Sequence, residues 1–133
     1  MPFSLRMDPG SAVVIGTCSG ILNVTDARKG AAAYWATPEW NGRPVVWDFR
    51  SAQLDVHPPE IDALARFILE SQPPTPPPRV AFVTGRDVDF GLSRMFEVHR
   101  EHPATLVRVF RNYDEALSWA MAHRHAPTRS GPR

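Results

Sequence analysis

The sequence predicts an α/β fold of order ββαβαβαβα, with a mainly parallel sheet, an antiparallel N-terminal edge strand and helices packed on its faces. Three observations carry this. The apolar runs PVVWDF (44–49) and RVAFVTG (79–85) lack the alternation of a half-exposed strand and suit parallel strands covered on both faces. Each is followed by apolar residues at helical spacing. Strands then alternate with helices to the end of the chain, the pattern of a sheet built from crossover units.

Taken in order, FSLRM (3–7) alternates apolar and polar residues and suits an edge strand. DPGS supplies a turn, and AVVIGTC (12–18) reads as its antiparallel partner. Thr25 is the expected cap of a helix over DARKGAAAYWA, which must stop before Pro38. Asn41-Gly42 marks a turn. After the strand at 44–49, PPEIDALARFILES places Ile61, Leu64, Ala65 and Ile68 on one face of a helix. Its prolines suit a helix start, where the missing N–H is harmless, with His57 near the cap.

DVDFGLSRMFEVHRE (87–101) follows the strand at 79–85, with Val88, Leu92, Met95 and Phe96 expected on its core face. Gly91 inside this helix suggests close packing against the sheet or a neighbouring helix, the alternative being a channel left for a ligand. TLVRVFR (105–111) is the last strand, and NYDEALSWAMAHR the last helix, opened by Asn112 with Glu115 three residues on. The prolines of QPPTPPPR read as a stiff connection inside the fold rather than a PxxP ligand.

Composition sets limits on function. A chain of 133 residues with 43% apolar and 22% charged residues is an ordinary globular domain that buries roughly two-thirds of its unfolded surface. One domain is expected over 1–124, with a disordered tail over 125–133. The net charge of +1 gives no support to nucleic-acid binding. Lys29 is the only lysine, so arginine carries nearly all the positive charge. Cys18, the only cysteine, excludes an internal disulfide and reads as a buried thiol. No basic start leads an apolar core and no run is long enough to cross a bilayer, so the expectation is a cytoplasmic protein without a signal peptide or a membrane span.

Ligands of open α/β sheets bind beyond the carboxyl ends of parallel strands. There this sequence places Asp48 and Arg50, then Gly85 and Arg86, then Arg111. Three arginines at one edge, with helix N-termini beside them, would suit a phosphate, a carboxylate or an acidic partner. The alternative is surface charge, with Asp48 and Asp87 neutralising the arginines locally. His99 and His102 lack an evident third metal ligand, and His123 and His125 suit a helix C-terminus. No metal or cofactor is expected. Trp35, Trp47 and Trp119 suit the core, and Trp40 is expected to be exposed. The edge strand at 3–7 leaves a homodimer through sheet pairing open.

The segments SGILNVTDA, VVWDFRSA, RVAFVTGRDVDFGLSRMFE and VRVFRNYDEALSWA resemble the SpoIIAA-like family of bacterial proteins with a STAS-type fold, over about 3–121. The resemblance implies a small domain related in shape to anti-sigma-factor antagonists and to CRAL-TRIO lipid-binding domains. The antagonists are switched by phosphorylation of a Ser at a helix start after the third strand. Here that region reads LDVHPPEID, without a hydroxyl from Val56 to Ile61, and Ser51 lies several residues before the helix. The expected function is therefore a non-enzymatic regulatory or adaptor domain that binds a protein partner without that phospho-acceptor. The alternative is a domain for a small anionic metabolite or a lipid at the strand ends. An enzyme would have only Asp48 and Asp87 as an acid–base pair.

Overall fold

The structure is a computed structural model that describes residues 3–71, 75–99 and 105–122. The expected tail at 125–133 lies outside the described residues, as do His102, His123, His125 and part of the proline-rich connection. The chain forms β1 (Phe3–Met7), β2 (Val14–Asn23), α1 (Val24–Trp35), a 3-10 turn (Pro38–Trp40), β3 (Val45–Asp55), α2 (Pro58–Ser71), β4 (Arg79–Val83), α3 (Asp87–His99), β5 (Leu106–Phe110) and α4 (Tyr113–Ala122). This is the expected ββαβαβαβα order.

The five strands lie side by side in sequence order, β1 antiparallel to β2 and the rest parallel. Each crossover thus adds a strand on the same side of the last. Right-handed crossovers then place their helices on one face of the sheet. The packing agrees: α1, α2 and α3 cover one face. α4 follows the last strand, is bound by no crossover, and covers the other. The hairpin turn is held by Asp8, whose Oδ2 accepts from Ser11 N at 3.0 Å and Ser11 Oγ at 2.6 Å, with Ala12 in the left-handed region at φ 59°.

Several boundaries differ from expectation. β2 continues past Cys18 to Asn23, and Asn23, not Thr25, caps α1: its Oδ1 accepts from Asp26 N at 2.9 Å while Asp26 Oδ2 accepts from Asn23 N at 3.1 Å. β3 continues past Arg50 to Asp55, paired with β2 throughout. The apolar run stops at Phe49 because β4 stops too: Asp48 is the last β3 residue with a β4 partner, Val83. Beyond it β2 and β3 form a two-stranded extension with one face open to solvent, so its sequence alternates. A bulge sits at this transition, with Phe49 and Arg50 opposite Cys18.

α3 is turned relative to expectation. Its buried face carries Asp89, Ser93 and Phe96, with Leu92 half-buried, while Val88 and Met95 are exposed. A Cβ on Gly91 would meet nothing within 4 Å, which removes the packing explanation for this glycine. Trp40 is half-buried against Val14, Tyr34 and Val45 rather than exposed. On α2, Ile61, Leu64 and Ala65 are buried as the periodicity requires. No helix among the described residues is long and apolar enough to cross a membrane.

Candidate functional site

Between the sheet and the α1–α3 layer lies a cavity of about 140 Å³ that is partly open to solvent. Native interiors rarely leave voids much larger than a water molecule. An apolar cavity of about 150 Å³ in another protein stays dry and admits benzene. The reason for the gap is legible in the residues around it. α1 turns Ala27, Gly30 and Ala31 toward the sheet, and none of these fills space. The opposite wall is built of flat, rigid rings that cannot spread into the gap. Phe49 stacks on Phe82 at 5.5 Å and 15°, and Phe96 meets Phe82 edge-on at 5.4 Å and 79°.

Trp47 completes that wall. Its ring lies so close to β2 and α1 that a Cβ on Gly16 would come within 2.4 Å of it, and one on Gly30 within 3.1 Å. Leu22, Ile61, Leu64 and Ile68 add aliphatic lining. Of the polar lining groups, Tyr34 directs its hydroxyl away, to the carbonyls of Trp40 and Arg43 at 2.9 Å each. The Asp26 carboxylate is occupied by the α1 cap. Cys18, Ser93 and the indoles of Trp35 and Trp47 are the other lining side chains that carry a polar atom. Burial pushes the Cys18 thiol up to about 12, with the nearby Asp48 charge adding to the rise. Burial likewise raises the Tyr34 phenol to about 12, against the lowering effect of its contacts with Arg43 and Gly42.

The residues expected at the strand ends occupy one edge of the molecule, but each arginine closes on a carboxylate of its own. Asp48 and Arg50 lie within β3, two apart on the face toward α4. Arg50 Nε reaches Asp48 Oδ1 at 2.9 Å and a terminal nitrogen reaches Oδ2 at 2.8 Å. The Arg50 guanidinium also stands 4.9 Å from the centre of the Tyr113 ring. Burial alone would raise the Asp48 carboxyl, but hydrogen bonds from the Arg50 side chain and N–H bring it below its usual value. Gly85 brings the β4–α3 loop against this pair, since a Cβ there would be 3.3 Å from Arg50 O. Arg86 Nε lies 3.4 Å from Asp89 Oδ2. Arg111 bonds Asp87 Oδ1 at 2.7 Å and stacks 4.5 Å above Phe90.

Asp89 is the residue that sequence reasoning missed at this edge. It is fully buried in the first turn of α3, where the helix dipole favours a negative charge. Its Oδ1 accepts from Leu54 N at 3.2 Å. Leu54 lies in the extension of β3, beyond the end of β4, so the Asp89 carboxylate takes the place of a missing strand. Just past the end of β4, Thr84 N donates to Phe110 O at 3.0 Å, while the buried Thr84 hydroxyl has no partner among the described residues. Among the described residues no cluster of three His, Cys, Asp or Glu is placed to hold a metal.

No family model matches the chain, and no curated protein matches it in sequence. A solved structure does match: an uncharacterised protein of the DUF3478 family from Shewanella loihica PV-4, described as having a SpoIIAA-like fold. The match covers 89% of this chain and 91% of that one, with a TM-score of 0.58 at 12% identity. The fold is SpoIIAA-like. At that identity the likeness concerns architecture alone. The cavity and the paired arginines are thus features of this chain's own residues on a SpoIIAA-like frame.

Proposed function

We propose that this SpoIIAA-like domain is a non-enzymatic binding domain whose ligand is a small apolar molecule, or the short acyl tail of a lipid, held between the helix layer and the sheet. The observation that carries the proposal is the cavity of about 140 Å³ walled by Trp47, Phe49, Phe82 and Phe96 and floored by the small residues of α1. Its chemistry suits binding rather than catalysis. The one thiol that faces it stays protonated at neutral pH, because burial holds it at about 12. The proposal moves the ligand from the strand ends to the interior. An anion at Arg50, Arg86 and Arg111 would have to displace three carboxylates.

The test is thermal melting of the protein with single-ring and short-chain probes such as indole, p-xylene and hexanoate. A ligand at one hundred times its Kd adds about 2.7 kcal/mol of stability, an easily read rise in Tm. Ala31→Leu fills the cavity from α1 and should remove the rise while the protein still folds. Equal rises in both proteins, or none in the wild type, would defeat the proposal.

A second reading, docking of a protein partner, is favoured by one observation. Among the described residues, three of the five exposed large apolar side chains, Val88, Met95 and Val98, lie on α3. An amphipathic helix normally has one apolar face, and the core already uses the other side of α3. Val98→Glu should abolish capture of a partner without lowering Tm. Unchanged capture would count against docking there.

A further inference from the structure

We propose that the ligand of the interior cavity is an arylalkylamine, with its ring among the aromatic residues and its ammonium group on Asp26. This rests on the reading of the cavity as the binding site and names the class of molecule it takes. Among the described residues, Asp26 is the only charged side chain that lines the cavity. The chain carries 15 arginines and lysines, and none of those described lines it. An anionic ligand, a fatty-acid carboxylate included, would therefore meet one like charge and no opposite one. A cationic ligand meets the reverse.

Asp26 belongs to the same stripe of α1 as the small residues that floor the cavity. It lies one helical turn before Gly30 and beside Ala27. It is half-buried, so its carboxylate sits between the apolar interior and water. The helix cap uses only one of its oxygens: Oδ2 accepts from Asn23 N at 3.1 Å, and Oδ1 makes no hydrogen bond among the described residues. An ionised carboxylate can accept about four hydrogen bonds, so room remains for an ammonium. The same cap engages both amides beside it, since Asp26 N donates in turn to Asn23 Oδ1 at 2.9 Å. Those two N–H groups are what a helix start would otherwise offer an anion.

The rest of the wall favours the same class. Aromatic rings gain from edge-on and offset contact with one another beyond the area they bury, and Trp47, Phe49, Phe82 and Phe96 offer both edges and faces. The ring faces attract a cation and repel an anion. A cavity of about 140 Å³ suits a single ring. Its partial opening to solvent lets the ammonium keep part of its hydration shell, which lowers the cost of bringing a charge to an apolar site.

Isothermal titration calorimetry of the full chain at neutral pH tests this with three probes that share a ring and differ in charge: phenethylamine, ethylbenzene and 3-phenylpropanoate. Phenethylamine should bind about tenfold more tightly than ethylbenzene, the scale of a hydrogen bond to a charged group, and phenylpropanoate more weakly than either. Asp26→Asn keeps an oxygen for the Asn23 amide and removes the charge, and should bring phenethylamine down to the affinity of ethylbenzene. Added salt should narrow the amine's advantage in the wild type, a readout that does not depend on the variant folding. Ethylbenzene binding as tightly as phenethylamine overturns the proposal and leaves an uncharged apolar site standing. An amine advantage that survives both Asp26→Asn and salt overturns the role of Asp26. If none of the three probes binds, the cavity reading and this one fail together.

Discussion

The two faces of the sheet are packed to different standards. Under α4, Val13, Ile15, Val46, Ala81 and Val83 meet Ala116 and Ala120, all of them essentially inaccessible. Small and β-branched side chains on a pleated surface interlock well against the two buried alanines of α4, with Phe110, Tyr113, Leu117, Trp119 and Met121 packed around them. Under α1–α3 the strands present Trp47, Phe49 and Phe82, and opposite them α1 presents Ala27, Gly30 and Ala31 between its larger Tyr34 and Trp35 and the aliphatic residues of α2. Rings set edge-on and face-on against one another leave corners that alanine and glycine do not fill. The same sheet thus holds a close-packed core on one side and a receptive one on the other.

The faces also differ in charge chemistry, and this gives the largest expected effect. Cys18 and Tyr34 are buried beneath the helix layer without a charged partner, whereas on the α4 side the buried carboxylate of Asp48 is paired with Arg50. Both acids are held protonated to about 12 in the fold, against 9.0 and 10.0 for the free thiol and phenol. Between those values the unfolded chain has released protons that the folded chain retains, so stability falls as pH rises. The contribution is complete below pH 9 and is lost as pH approaches 12, at about 1.4 kcal/mol per unit of difference. Urea denaturation from pH 8 to 12 should show a loss of several kcal/mol. In Cys18→Ala the fall should begin near pH 10 instead of pH 9. An identical alkaline limb in the variant would place the thiol in solvent.

One substitution made twice sharpens the contrast in packing. Ala116→Leu adds three carbons to the closed α4 interface and should cost about 1–3 kcal/mol by overpacking. Ala31→Leu adds the same atoms beside the cavity and should be neutral or stabilising, since the new methyls enter empty space and Leu is nearly as good a helix former as Ala. Chemical denaturation of both variants reads the difference directly. Equal losses would mean that the two faces are equally full.

This contrast marks the limit of what the sequence discloses. Continuous apolar runs made β3 and β4 visible, and helical spacing made α2 visible, because in both the pattern comes from burial on neighbouring residues. The extension of β3 through Ser51 and Gln53 was hidden because only one of its faces is covered, so its alternation resembles a loop after an apolar run. Asp89 was hidden because its partner, Leu54 N, is 35 residues away, and a charged residue in an amphipathic segment is by default assigned to solvent. That assignment rotated α3 and put Val88 and Met95 in the core. The cavity was beyond reach because it is a volume left over by residues from β1 to α3, and no segment contains its signature. The arginines at the strand ends were legible, and so was the alternative that Asp48 and Asp87 hold two of them.

That edge yields a smaller effect. Asp48 is held below its usual value by Arg50, so its contribution is present above about pH 4 and lost as pH falls through the lower folded value. Arg50 is half exposed and its charge is screened, which limits the pair to about 1 kcal/mol. Asp48→Asn should cost that amount at pH 7, and its stability should converge on the wild type in acid. A constant offset down to pH 2 would assign the effect to packing instead of charge.

The smallest effect concerns Gly91, on the exposed side of α3. In the isolated domain the exposed helix interior gains from alanine by about 0.5–1 kcal/mol, because glycine has more freedom to lose on folding. Nothing in the domain obstructs the added methyl. Gly91→Ala should therefore raise Tm. A fall in Tm would instead mean that α3 needs the glycine for its own backbone conformation, so that the open space beside it is not what fixes the residue at this position.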